Sequence, residues 1–211
     1  MSSAPSLDPI AHFCSSADLP WDEERAEKMG RYLDLLLQFN QAMNLIGPLS
    51  REEVVDQLLL DSLIATAARR PQGPILDVGC GAGLPGIPIK IVFPDCPLSL
   101  VEPRRKRSTF LKIATHRLNL SDVEVFHGRI EEFDGQGFDT VISKAFQAPT
   151  TWLETARPFI TDDGAVIVMG RQSDRSDLVA TAQTLELSLQ SEAHGAGEGP
   201  EKRICYAFGN S

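Results

Sequence analysis

Residues 75–86 read Ile-Leu-Asp-Val-Gly-Cys-Gly-Ala-Gly-Leu-Pro-Gly. A short apolar run ends in Asp77 and passes into a backbone bearing Gly79, Gly81, Gly83 and Gly86. Such a run predicts a buried strand entering a turn with little side chain, where a nucleotide-like ligand can lie against main chain. Two frames fit. Gly81 to Gly86 satisfies the dinucleotide pattern G-x-G-x-x-G, in which a pyrophosphate sits on the following helix N-terminus. That frame begins four residues after Asp77 and leaves Gly79 unexplained. The frame Asp77-x-Gly79-x-Gly81-x-Gly83 starts at the strand end and accounts for all three glycines. An acid there suits a ligand with a cationic amino-acid end, such as S-adenosylmethionine, better than a pyrophosphate. A second apolar run, Leu98 to Val101, ends in Glu102. Its carboxylate stands where it can accept from both ribose hydroxyls, a device that NAD enzymes share. A glycine-rich turn that binds nothing is the remaining alternative.

From this turn outward, strands and helices alternate. Strands are expected at 75–78, 98–102, 123–127, 138–143 and 165–169, and helices at 85–93, 105–118, 150–159 and 176–185. Alternation of this kind predicts right-handed crossovers and an α/β fold with a mostly parallel sheet. Segments 186–192 and 203–208 read as a final antiparallel pair, making seven strands, with a loop at 194–200. Toward the N-terminus the pattern is helical. Met29, Leu33, Leu36 and Met43 recur at helical spacing, and Ser50-Arg51-Glu52-Glu53 is a capping box opening a second helix through Leu63. Residues 1–20 read as a tail, 21–70 as a helical extension and 71–211 as the catalytic-type domain.

The 211 residues are 42% hydrophobic, enough for one sizeable core. No apolar stretch approaches the roughly 20 residues needed to span a membrane, and the first residues lack the pattern of a secretory signal. Cys14, Cys80, Cys96 and Cys205 have no C-x-x-C spacing, which indicates neither a zinc site nor a disulfide framework. A cytoplasmic location is expected. The net charge of −9 argues against a general nucleic-acid binder. Its distribution is uneven. Arg104, Arg105, Lys106, Arg107, Lys112 and Arg117 cluster after Glu102 on one expected helix. Cations at a helix start oppose the macrodipole, so local stability does not explain them. A phosphate-contacting face does, with an ordinary solvated helix start as the alternative.

In a parallel sheet, ligands gather at the carboxyl ends of the strands. Those ends carry Asp77, Glu102, His127-Gly128-Arg129, Ser143-Lys144 and Met169-Gly170-Arg171. An adenine amine there would find an acceptor in a backbone carbonyl or Glu131. His127 is either a base or a polar rim residue. Lys144 is the best pocket candidate, with a surface lysine as its alternative, and no catalytic residue is assigned.

The chain resembles the bacterial ribosomal RNA small-subunit methyltransferase G family, also called glucose-inhibited division protein B, from about Trp21 to Tyr206. The most specific match is Gly-Ala-Gly-Leu-Pro-Gly-Ile-Pro at 81–88. Asn44-Leu45, Leu60-Asp61-Ser62, Lys106-Arg107, Phe110-Leu111, Gly128 to Phe133 and Ser143 to Phe146 support it. The resemblance implies a Rossmann-like class I fold with a helical N-terminal extension. It further implies methyl transfer from S-adenosylmethionine to N7 of a guanine in small-subunit ribosomal RNA. By the motif, Gly79, Leu84, Ile130, Glu131 and Lys144 join Asp77, Gly81 and Glu102 as cofactor positions. Asn44 joins Arg104 to Arg107 on the RNA side.

Departures fall at polar positions. Gln57-Leu58 stand where the family has a polar pair, Ser143-Lys144-Ala145 replaces Ser-Arg-Ala, Met169 replaces a lysine, and Glu201-Lys202-Arg203 replaces Glu-Arg-His. The chemistry fits what is missing. Guanine N7 has a free lone pair and needs no general base, so alignment suffices. No Asn-Pro-Pro-Tyr-like motif or Pro-Cys pair points to exocyclic-amine or cytosine C5 methylation. A class I methyltransferase of a small molecule or protein, and a non-catalytic S-adenosylmethionine-binding RNA module, are the alternatives. The expected partner is small-subunit ribosomal RNA or a ribosomal particle, and the expected state is a monomer.

Overall fold

The computed structural model describes residues 7–195 and 199–211. Residues 1–6 of the expected tail and 196–198 of the expected loop lie outside the described residues. The chain forms helices α1 (Asp8–Ser16), α2 (Glu23–Met43) and α3 (Arg51–Val54), then a π-helical turn at Val55–Leu59 that leads into α4 (Leu60–Ala68). There follow β1 (Ile75–Val78), α5 (Gly86–Val92), β2 (Leu98–Val101), α6 (Arg105–Arg117), β3 (Val123–Phe126) and β4 (Phe138–Ser143). The chain finishes with α7 (Pro149–Ala156), β5 (Ile160–Arg171), α8 (Arg175–Thr184), β6 (Leu187–His194) and β7 (Arg203–Asn210).

The seven strands form one sheet in the order β3-β2-β1-β4-β5-β7-β6. Strands β1 to β5 are parallel, and β7 runs antiparallel between β5 and β6. Strand order reverses between β1 and β4, the point where open α/β sheets leave a crevice at their carboxyl ends. Alternate residues of β1 face opposite cores. Ile75 packs with Leu33, Leu63 and Phe110 under α2, α4, α5 and α6, whereas Leu76 and Val78 pack with Trp152 and Leu178 under α7 and α8. The N-terminal helices therefore share the core of the sheet.

Capping chemistry sets several boundaries. The Asp22 side chain accepts from Arg25 N–H at the start of α2, and Ser50 and Glu53 form the expected capping box, each such cap being worth about 1 kcal/mol. Asn44 ends α2 in the left-handed conformation at φ 50°.

The largest differences from the sequence reading are at three places. Within the expected tail, residues 8–16 form α1, because Ile10 and Cys14, four apart on one face, are both fully buried. The second helix is interrupted by the π-turn. Strand β5 begins at Ile160 rather than 165, since Phe138 pairs with Ile160 before a register shift restores Thr140 to Ala165.

Candidate active site

The glycine turn is shaped by two acids from adjacent strands. Asp77 at the end of β1 is completely buried, and its Oδ2 accepts from Gly86 N–H at 2.7 Å. Burial pushes its carboxyl up to about 7; the Gly86 amide and Lys144 pull the other way, and nearby Glu102 adds to the rise. Glu102 is 2% exposed and accepts two amides, from Gly81 at 2.9 Å and Arg104 at 2.8 Å. Each of its oxygens keeps a further lone pair for a ligand hydroxyl. Behind the turn, the buried Tyr32 hydroxyl of α2 donates to Ala82 O at 2.8 Å. Gly79 has φ +65°, and a Cβ there would lie 2.5 Å from the Phe146 ring. Only glycine fits that position.

Over this turn lies a cavity of about 370 Å³ lined by Val78, Gly79, Val101, Pro103, Arg104, Arg129, Ile130, Glu131 and Phe146. Its apolar lining is joined by three charged residues, Arg104 after β2 and Arg129 and Glu131 after β3. Of the sequence-selected cofactor positions, Gly79, Ile130 and Glu131 line it directly. Asp77, Gly81 and Glu102 are outside the lining and fix the adjacent glycine turn through the bonds above. Leu84 is 8% exposed in the turn leading to a cis Leu84-Pro85 peptide and is not part of the lining.

Lys144 faces elsewhere. Its Nζ donates to Asp61 Oδ2 at 2.7 Å and to the Gln57 carbonyl at 3.1 Å. With Asp61, Arg171, Asp174 and Arg203 it lines a second cavity of about 450 Å³ over the ends of β4 and β5 and the start of β7. The segment 144–147 divides the two spaces. Ala145 is left-handed at φ 55°, and the turn that results presents Phe146 to the smaller cavity while Lys144, Ala145 and Gln147 line the larger. Arg203 Nη1 completes the cluster at 3.2 Å from Asp61 Oδ1.

The basic residues Arg104, Arg105 and Lys106 are exposed at the start of α6, with Arg107 half-buried behind them. None of the four forms an ion pair among the described residues. Arg104 alone of them reaches the smaller cavity. Asn44 is exposed at its helix end and His127 on the surface after β3, and neither lines either cavity. Sequence reasoning did not single out Phe146, Arg129 or Asp61 as ligand contacts, although Asp61 stood in a quoted motif, and Arg203 stood among the departures at polar positions where RNA or the target base would be held. Phe146 and Arg129 stood inside quoted motifs, which was the signal available. Asp61 and Arg203 meet only through the fold.

Among the described residues, no helix is long and apolar enough to cross a membrane. The fold matches solved structures. TYW2 of M. jannaschii, solved in complex with AdoMet, aligns with a TM-score of 0.58 at 13% identity, covering 72% of this chain and 74% of that one. Sequence relatives are closer. A ribosomal RNA small subunit methyltransferase G of Methylobacillus flagellatus is 37% identical over 166 residues, 78% of this chain and 80% of the relative. One from Moorella thermoacetica is 31% identical over 185 residues, 84% and 77% of the respective chains. The family model described as rRNA small subunit methyltransferase G matches residues 25–204. With that match covering the glycine turn and strands β1 to β6, this chain belongs to the rRNA small subunit methyltransferase G (GidB) family.

Proposed function

We propose that the chain is an S-adenosylmethionine-dependent methyltransferase acting on N7 of a guanine in small-subunit ribosomal RNA. The observation that carries this reading is the smaller cavity, where a bare glycine turn meets a carboxylate already fixed by two amides. Its residues fit the cofactor on a second ground. Among the buried side-chain atoms without a partner are Asp77 Oδ1 and Ser143 Oγ, at the carboxyl ends of the neighbouring strands β1 and β4. Asp77 Oδ1, on the face of β1 that meets the glycine turn, suits a polar ligand end, whereas Ser143, one register position further on, faces the opposite core with Trp152 and Val168.

Glu102 would hold the ribose hydroxyls, Gly79 would admit the ligand against main chain, and Ile130 and Glu131 would flank the adenine. Asp77 and Gly81 act by fixing the turn, and Leu84 by packing beneath it. When bound, the cofactor supplies an electrophilic methyl group. The protein has no proton to move, because the N7 lone pair is free; its work is alignment and exclusion of water. Arg104, Arg105, Lys106 and Arg107 would contact RNA phosphates, with Asn44 further out on the same substrate. This division makes Lys144 a residue of the larger, substrate-side cavity. We read the protein as a cytoplasmic monomer whose partner is the ribosomal RNA or particle.

The test is direct. Purified protein, S-adenosylmethionine and small-subunit RNA, free or in particles, are incubated, and the RNA is digested to nucleosides for mass spectrometry. New 7-methylguanosine in one nucleotide is expected. Its absence with both substrates, despite cofactor binding, would remove the reading.

A further inference from the structure

We propose that Asp61 is the specificity residue of the larger cavity, accepting hydrogen bonds from the N1–H and 2-amino group of the target guanine. This rests on the guanine reading above and adds the residue that reads the base.

Asp61 is 5% exposed and nevertheless lines the cavity. A buried carboxylate flanked by Lys144 and Arg203 is a poor device for stability, since well-packed apolar residues commonly do as well. Its placement is better explained by what it presents to the cavity. The helix that carries it is also irregular. Leu60 N–H reaches back five residues to Val55 O, making the π-turn that immediately precedes Asp61. Turns of this kind recur at functional sites. The Gln57 carbonyl in that turn takes a hydrogen bond from Lys144 Nζ, so Lys144 is anchored at two points and holds the carboxylate in place.

The remaining valence of the cluster has a definite chemical match. A carboxylate offers about four acceptor sites, and two are used by Lys144 and Arg203. Two are left for a pair of adjacent donors. Guanine is the standard base whose Watson–Crick edge carries two neighbouring N–H donors, N1–H and the 2-amino group. That edge lies across the purine from N7. A guanine gripped by it turns N7 away from Asp61 and toward the open part of the cavity. The 144–147 segment borders both spaces, so a base held by Asp61 extends past the edge of that segment until N7 meets the methyl group in line.

The experiment uses small-subunit RNA with guanosine or inosine at the methylated nucleotide, assembled into particles. Inosine keeps N7, O6 and N1–H and lacks only the 2-amino group. The wild-type protein is expected to lose about 100-fold in kcat/KM on inosine, as sites built to bond a missing group do or exceed. Asp61→Asn is expected to lower activity on guanosine, to bring the guanosine-to-inosine ratio within about threefold of one, and to leave cofactor Kd within about threefold. Equal wild-type rates on the two RNAs would overturn the proposal, as would an Asp61→Asn protein that keeps the wild-type ratio. The wild-type comparison needs no variant, so it can overturn the proposal even if Asp61→Asn does not fold. Methylation of neither RNA would instead remove the guanine reading itself, and this inference with it.

Discussion

The two cavities that share the 144–147 wall are built from different materials. The smaller is made by main chain: a left-handed glycine, three backbone amides committed to two acids, and apolar side chains. The larger is made by side chains from four distant segments, with Asp61, Lys144, Arg171 and Arg203 brought together by β4, β5, β7 and the helix before β1. A main-chain site tolerates many neighbours but no added atom. A side-chain site tolerates added atoms but depends on each charge having its partner. The contrast suits a shared cofactor on one side and a selected substrate on the other.

The strongest way to break this contrast is Gly79→Val. The substitution places a β-branched residue in left-handed backbone and its Cβ against Phe146. Cofactor affinity is expected to fall by roughly 100-fold, measured by titration calorimetry. An unchanged Kd would mean that the smaller cavity does not rest on that turn.

Lys144→Gln sharpens the division from the other side. It leaves the buried Asp61 with one cation in place of two. Activity on RNA is expected to drop about 10- to 30-fold in kcat/KM while cofactor Kd changes less than about threefold. Equal losses in both would return Lys144 to the cofactor.

The smallest effect concerns pH. Asp77 in the folded chain holds its proton up to about 7, against 3.8 for an ordinary aspartate. The folded state therefore binds the proton more tightly than the unfolded one. The stability this confers is complete below about pH 4 and is lost as pH rises toward 7. Asp77→Asn should remove that slope, so the variant gains on the wild type across this window in urea unfolding and levels off above it. A cationic cofactor favours the ionised form, so its affinity for wild type should rise severalfold across the same window. A pH-independent difference between the two proteins would separate Asp77 from both effects.

The fold was legible because its signals are local. Each strand of the parallel region is a contiguous apolar run, and the turn at 79–86 writes its backbone geometry directly as glycine. Helix α1 was not legible: its two buried residues stand among serines, an aspartate and a proline, and composition outweighed spacing. The two acids that fix the glycine turn were legible for the same local reason as the strands, since Asp77 and Glu102 each stand at the end of one. Asp61 and Arg203 are 142 positions apart in the chain, and no periodicity relates them. Only the antiparallel insertion of β7 beside β5 brings the arginine to the helix that carries the aspartate. That Lys144 lines the larger cavity and Phe146 the smaller was not legible, because a single left-handed residue, Ala145, reverses which cavity its neighbours face, and alanine gives no warning of that conformation.

One bond described above has a wider bearing. The Tyr32 hydroxyl joins α2 to the carbonyl of Ala82, worth about 1 kcal/mol as a buried hydrogen bond. It is a mechanical link between the glycine turn of the site and the helices that precede it. Whatever ordering a ligand imposes on the glycine turn is felt, through that link, as tension or rest in α2, and the reverse holds equally. The N-terminal helices are then a spring behind the turn: their fraying would loosen the grip on the cofactor, and a filled site would quiet them.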